Sequence, residues 1–361
     1  MCTESSSQPT APLTDISPEP TSANNLAKEI DRMQHSASGL HPGLTTNFTS
    51  ISVVVPVYNR VHLIGPCLEH LQKAAITVLK LGIDVEIIVA DDASTDGTPD
   101  KVKTVAARCP EVPIELVGHA TRQGPARTRN AALSVARGEL VVFVDSDVIV
   151  VEDLLLAHLT AYSGSAMAYT VGRVVAVPDL EKALEYPEPT AWDLSRASLD
   201  TANSSVPRKH LAAVGFFDSG FAAYGWEDLD LGRRLKKYGL TRLTAPRAVG
   251  YHVVPPIRTR EQLRARLQKE RERGQTAVHF MHKHPEFSAR MTAQDTPLHR
   301  GLNWIFRLGG FVREDNVLNW VEWARKHRLT AFERMWMAGV LNQVYLESLT
   351  AAKRARTAQE P

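Results

Sequence analysis

Ile51-Ser-Val-Val-Val-Pro-Val57 is a short run dominated by β-branched apolar residues and stopped by Pro56 and Asn59. A run that is apolar on both faces, rather than alternating, predicts a strand buried inside a parallel sheet. A helix is expected next, over about Val61 to Leu81, with Leu68, Leu71 and Ala75 on one face and Gly82 as its stop. Val85-Glu-Ile-Ile-Val-Ala90 is a second strand that runs straight into Asp91-Asp92. Asp96-Gly97 turns the chain, and Thr98 with Pro99 opens a helix reaching about Arg108. A third strand at Ile114-Glu-Leu-Val117, a helix from Pro125 to Arg137 and a fourth strand at Leu140-Val-Val-Phe-Val144 complete the series. The fourth strand ends at Asp145-Ser146-Asp147. This alternation is the pattern of an α/β fold with a mostly parallel, doubly wound sheet and helices on both faces. Such sheets bind ligands beyond the carboxyl ends of their strands. Pro56-Val57-Tyr58, Asp91-Asp92 and Asp145-Ser146-Asp147 are therefore expected to converge on one crevice.

The remainder of the 361 residues divides around this core. Residues 1–49 are rich in Ser, Thr, Pro, Asn and Gln and read as a mostly disordered tail, with a short helix conceivable where Leu26, Ile30 and Met33 share a face. The catalytic-type α/β unit is expected over 50–255, and a mainly helical, Arg-rich region over 256–361. From Ile257 onward about 19 Lys and Arg face 11 Asp and Glu, although the whole chain carries only +2. With 43% hydrophobic and 23% charged residues the composition is that of a globular protein. No apolar run approaches the ~20 residues that span a bilayer. Three cysteines (Cys2, Cys67, Cys109) form neither a disulfide framework nor a metal-binding spacing, and the N-terminus lacks a signal-peptide pattern. A cytoplasmic location is expected, with peripheral contact at the inner membrane face through the basic helices as a further reading. Trp304, Phe306, Phe311, Trp320, Trp323, Phe332, Trp336 and Met337, set among Arg and Lys, motivate that reading; helices packing on the catalytic unit are the competing one.

Chemistry concentrates in a few acidic strings. Asp145 and Asp147 leave a strand end on the same side, and two like charges held close need a cation unless they simply cap a loop. Carboxylate oxygens suit Mg²⁺ or Mn²⁺, and a cation there would neutralise a diphosphate leaving group. Asp91 or Asp92 can accept hydrogen bonds from a ribose or base, or can initiate the following turn. Glu227-Asp228 follows Trp226 and opens a helix, so the pair can be a cap or can supply a general base. The Trp226 indole beside it is a candidate platform for a sugar face. His252, in a strand-like run, is a core histidine or a metal ligand.

Together these strings resemble the family 2 glycosyltransferases of GT-A fold. The matching elements are Val53-Val-Val-Pro-Val-Tyr-Asn-Arg60, Ile88-Val-Ala-Asp-Asp-Ala-Ser-Thr-Asp-Gly-Thr98, Gly124-Pro-Ala-Arg-Thr-Arg-Asn130, Val144-Asp-Ser-Asp147 and Trp226-Glu-Asp228, in order and over about Ile51 to Val254. Asn203-Ser-Ser-Val-Pro-Arg208 and the Trp226 string are similar to the branch of chondroitin-polymerase and β-galactosyltransferase domains. The resemblance implies that Pro56, Val57, Tyr58 and Arg60 line a nucleotide pocket, and that Asp91 and Asp92 contact base and ribose. It also implies that Gly124 allows close approach to the donor, and that Arg129 supports the phosphate side or the carboxylates. Asp145 would contact the ribose or a metal-bound water, Asp147 and His252 would hold Mn²⁺ or Mg²⁺, and Asp228 would be the base with Glu227 on sugar hydroxyls. Ala93 stands where the family more often has glycine.

The implied activity is metal-dependent, inverting transfer from a nucleotide-diphospho-sugar, with UDP the expected nucleotide, to a carbohydrate or lipid-linked acceptor. No nucleic-acid partner is expected. The rivals are a sugar nucleotidyltransferase, which would want a glycine-rich basic loop after the first strand, and a catalytically degenerate sugar- or nucleotide-binding scaffold. A DxD phosphatase would want Thr where Ile149 stands, and a dinucleotide oxidoreductase would want GxGxxG after the first strand.

Overall fold

The computed structural model describes residues 46, 48–162, 164–195 and 197–358, so the helix suggested near Leu26–Met33 and nearly all of the tail lie outside the described residues. The first strands are β1 (Ser50–Val57), β2 (Asp84–Asp91), β3 (Ile114–Gly118) and β4 (Leu140–Val144). β1 lies between β2 and β4, parallel to both, and β3 adds parallel to the far side of β2. Ile51, Val53, Val54 and Val55 are at most 1% exposed, the burial on both faces that their unbroken apolar run anticipates. Each such side chain taken out of water contributes about 1.5–3 kcal/mol before chain entropy is counted. Helices α1 (Val61–Leu79), α2 (Thr98–Ala106) and α3 (Pro125–Val135) connect these strands.

Past β4 the sheet changes character. β5 (Val148–Val150), β6 (Ala168–Val177), β7 (Asn203–Pro207) and β8 (Thr241–Val253) extend it in the order β3-β2-β1-β4-β7-β6-β8-β5. β7 is antiparallel to β4 and β6, and β5 is antiparallel to β8. The sheet is thus mixed, its parallel half being the part whose alternation is visible in the sequence. The antiparallel pairing of β5 with β8 sets Val148 opposite His252, which brings a residue over a hundred positions distant to the end of the Asp145–Asp147 loop. Val253 N–H also donates to Asp147 O at 2.9 Å and locks that register.

Short helices α4 (Leu154–Ala161), α5 (Leu180–Leu184) and α6 (Arg208–Val214) cover this half, and α7 (Glu227–Lys237) starts where the chain turns back to the crevice. The C-terminal region is helical: α8 (Arg260–Lys283), α9 (Phe287–Thr292), α10 (Pro297–Phe306), α11 (Val317–Lys326) and α12 (Thr330–Thr357). Thr259 and Gln262 form a reciprocal capping box that starts α8. α8 crosses α12 at Gly274, where a Cβ would lie 2.6 Å from Tyr345 O, so only glycine permits that approach. Ala277 and Phe280 of α8 and Tyr345 and Leu349 of α12 join the sheet's own core around Phe221 and Trp226. A second cluster, with Leu267, Val321, Trp336 and Val340, holds the C-terminal helices to one another. Of the large apolar residues in this region, Trp336 is buried, whereas Trp304 and Phe311 are 62% and 73% exposed.

Asp230, fully buried on α7, accepts from Arg234, Lys283 and His284, and Asp218 accepts from His279 and Lys283. This shared lysine fastens the end of α8 to α7.

Candidate active site

The crevice lies at the carboxyl ends of β1, β2 and β4. Three of its corner residues, Asn59, Ala93 and Trp226, have positive φ (49°, 64° and 76°), a conformation that costs a non-glycine residue roughly 1–2 kcal/mol. They sit at the ends of β1 and β2 and at the start of α7, where the chain must reverse within one residue to present the next side chain. Asn59 is held by its Oδ1, which accepts from Thr95 N, and by its own N–H, which donates to Ser94 Oγ. Arg60 N–H donates to the buried Thr98 hydroxyl, which aims the Arg60 side chain inward.

Asp91 and Asp92 part company here. Both carboxylate oxygens of Asp92 are engaged by backbone, accepting from Gln123 N–H at 2.6 Å and Gly124 N–H at 3.0 Å. Asp91 accepts from Ser94 N–H through Oδ2, while its Oδ1 is buried without a partner. Asp92 therefore anchors the loop before α3, whereas Asp91 keeps one buried oxygen unengaged. Gly124 has φ 86°, and a Cβ there would lie 2.7 Å from Ala222 O. The close approach it allows in this structure is to the chain's own backbone.

Arg129, on α3, is nearly buried and donates to Asp145 Oδ1 and to Glu227 Oε1, each at 2.9 Å. It draws the end of β4 to the start of α7. Glu227 Oε2 is a second buried oxygen with no partner. Asp228 follows it on α7. Burial first, then the charges of Glu227 and Asp200, push the Asp228 carboxyl up to about 8, against the opposing pull of Arg129. Burial likewise raises Asp145, with Arg129 opposing.

Asp147 lies between two cationic groups, 3.4 Å from Arg60 and 3.4 Å from His252 Nε2. Burial works against its ionised form, but the His252 hydrogen bond and the His252 and Arg60 charges outweigh this and hold its pKa below the usual value. Burial similarly works against the His252 imidazolium, and Asp147 then Asp145 reverse the balance and raise its pKa. Among the described residues no cluster of three or more metal-type side chains exists. One carboxylate oxygen and one imidazole nitrogen converge instead, donor types that suit a divalent cation.

Two expectations for this site change on inspection. Trp226 is only 3% exposed, stacks on Phe280 at 5.1 Å and donates from Nε1 to Arg273 O. Its indole is part of the core and has no free face for a sugar. Val57 is 3% exposed, so its contribution to the crevice is backbone only: its carbonyl accepts from Asp92 N–H. Tyr58, by contrast, is 39% exposed, with the Arg122 guanidinium 4.7 Å from its ring.

Sequence reasoning missed Lys269, Arg122 and Asp200. Lys269, on α8, is half-buried, 5.6 Å from the Tyr224 ring and within electrostatic reach of Arg60 and Asp147. Burial and then Arg60 lower its pKa. Nothing in the spacing of an Arg-rich helix marks one lysine as the residue that faces the crevice.

Residues 52–218 match glycosyl transferase family 2. These residues form a domain of that family. An uncharacterised glycosyltransferase of Bacillus subtilis is 28% identical over 53% of this chain. Validoxylamine A glucosyltransferase of Streptomyces hygroscopicus subsp. jinggangensis is 30% identical over 68% of it. The chain spans 61% and 63% of the lengths of these two relatives. A mannosyltransferase of Pyrobaculum calidifontis, solved with GDP-mannose and Mn²⁺, superposes with TM-score 0.53 over 94% of this chain and 97% of its own, at 19% identity. That likeness establishes the shared GT-A fold.

Proposed function

We propose that this family 2 protein is a metal-dependent, inverting glycosyltransferase that moves a hexose from a nucleotide-diphospho-sugar, UDP-linked by resemblance, to an acceptor hydroxyl. The observation that carries this reading is the Arg129 bridge. One guanidinium, 2.9 Å from both Asp145 and Glu227, ties the strand-end carboxylate of Asp145 to the helix start that carries the candidate base Asp228.

In the proposed mechanism the nucleoside lies across the ends of β1 and β2. Asp91 Oδ1 accepts from base or ribose, and Tyr58 lines the same pocket. Asp147 and His252 would hold a divalent cation, which would supply Lewis-acid stabilisation to the departing diphosphate. Arg60 and Lys269 add positive charge on that side. Glu227 Oε2 accepts from sugar hydroxyls, filling its unmet hydrogen bond. Asp228 takes the acceptor hydroxyl's proton as that oxygen attacks the anomeric carbon. A carboxyl whose pKa is raised to about 8 is, once ionised, basic enough to accept a proton from a hydroxyl as it attacks. The name of the Streptomyces relative makes glucose the first sugar to test.

The experiment is donor hydrolysis by purified protein across a panel of nucleotide sugars, with Mn²⁺, with EDTA, and with Asp147→Ala and Asp228→Asn. Slow metal-dependent release of one nucleotide, lost in Asp147→Ala, is expected. Absence of release and of metal-dependent nucleotide binding across the panel would leave the scaffold reading in its place.

A further inference from the structure

α10 is amphipathic in the inverted sense. Its polar side faces inward: Asn303, only 3% exposed, donates from Nδ2 to Gln343 Oε1 at 2.8 Å and accepts from Asn342 at 3.2 Å. Arg300, on the same side, donates to Thr350 at 3.0 Å. The opposite side carries Leu298, Leu302 and Ile305, at i, i+4 and i+7, which are 62%, 42% and 57% exposed. Phe306 continues this stripe and Phe311, just past the helix, is the most exposed aromatic near it at 73%. Helices of globular proteins turn such a stripe to the core. Here hydrogen bonding to α12 fixes the helix the other way round, so the apolar face is held outward by structure and is not a fraying end.

Charge sits beside that face. Between α10 and α12 lies an open cleft of about 510 Å³, lined by Arg300, Arg307 and Arg354 together with Trp304, Gln343 and Thr350. Glu347 is the one carboxylate in its lining, and it is engaged by Gln343. Arg300 is 3.8 Å from Asp295, Arg307 donates to Val312 O, and Arg354 has no ion pair among the described residues. Trp304, at the mouth, is 62% exposed.

We propose that α10 and its arginine cleft form a docking face for an anionic phospholipid bilayer, with Leu298, Leu302 and Ile305 entering the headgroup–acyl boundary and the cleft taking lipid phosphate. Apolar burial and attraction to anionic lipid combine in this geometry, and tryptophan favours that boundary. A second copy of this chain is the weaker occupant. A two-fold contact through this face would set the same arginines against one another, whereas a phosphate-rich surface neutralises them. No described helix is long and apolar enough to cross a membrane, so the contact is one of lying on the surface. The proposal is independent of the donor and of the chemistry in the crevice.

The test is flotation of the full chain with vesicles of phosphatidylcholine alone and of phosphatidylcholine mixed with phosphatidylglycerol, at low and high salt, with light scattering of the lipid-free protein. Wild type is expected to float with the anionic vesicles and to be released by salt. Leu302→Glu with Ile305→Glu should cut the bound fraction by about tenfold or more, and Arg354→Gln should cut it severalfold. Both changes lie on the exposed side, so thermal unfolding should be unaltered; should the double variant unfold, Arg354→Gln and the salt series decide alone. Wild type that fails to float, or floats equally with neutral vesicles and in the variants, overturns the proposal. A concentration-dependent dimer that Leu302→Glu with Ile305→Glu dissolves, with no flotation, overturns it in favour of a second copy.

Discussion

Arg129 holds Glu227 at 2.9 Å although 98 residues separate them in the chain, and both side chains are about 6% exposed. The same guanidinium reaches Asp145 at equal distance, so one buried cation offsets a buried and a partly exposed carboxylate. Removing it strands both.

Arg129→Ala is therefore expected to destabilise the fold by about 3–5 kcal/mol, the cost of leaving buried charge unpaired. Urea unfolding measures this, and donor hydrolysis should fall together with stability. Arg129→Lys can keep one of the two contacts and should recover part of the stability but little of the activity. A fully stable Arg129→Ala would mean that the bridge is not what joins β4 to α7.

Asp228 has its pKa raised to about 8, chiefly by burial and by Glu227. As a general base it acts only when ionised, so kcat/KM for transfer should rise with pH up to about 8 and then level off. Asp228→Asn should lower kcat by about 10²–10⁴-fold while leaving nucleotide affinity intact. Linkage has the opposite sign for stability. A carboxyl whose folded pKa lies above its unfolded value loses stability as pH rises from about 4 toward 8, because the unfolded chain releases the proton first. Asp228→Asn should consequently melt higher than wild type at pH 8 and show little difference at pH 4. Equal melting temperatures at both pH values would remove the raised pKa from the account.

His252 and Asp147 stabilise each other's charged forms at 3.4 Å, so a proton on His252 competes with a cation at the same corner. Mn²⁺ affinity, read by calorimetry with nucleoside diphosphate present, should strengthen as pH climbs through the raised His252 value. His252→Ala should weaken that affinity and flatten its pH dependence, and Asp147→Ala should abolish it. A pH-independent affinity in wild type would show that His252 does not meet the metal.

Ala93 occupies the left-handed region at φ 64°. Ala93→Gly should stabilise the protein by about 1 kcal/mol through relief of that strain, offset in part by the freer unfolded chain. Thermal melting checks it. A lower melting temperature would mean that the Ala93 methyl makes contacts worth more than the strain.

Gly274→Ala should act in the reverse direction. The new methyl would meet Tyr345 O and Ser348 Cβ at 2.6 and 2.8 Å, forcing α8 from α12 at a cost of about 1–3 kcal/mol. Because α8 also carries Lys269, donor KM should rise in the same variant. An unchanged KM with lowered stability would separate the packing role of α8 from its place at the crevice.

The order of elements through β4 was legible because parallel strands buried on both faces leave unbroken apolar runs, with caps and turns between them. Asp91, Asp145 and Asp147 could be nominated for the same reason, since strand ends are fixed by those runs. Asp228 could be nominated only as a candidate, because a carboxylate at a helix start serves equally well as a cap. The tertiary structure decided the rest. It set the register that brings His252 to Asp147, engaged both oxygens of Asp92 in the loop at Gln123 and Gly124, turned Trp226 into the core, and laid Lys269 over the crevice. It also turned the apolar face of α10 outward. Local sequence carries the period of an element and the chemistry at its ends. Which face of a helix is buried, and which distant residues meet, depends on packing partners and hydrogen bonds that no local spacing records.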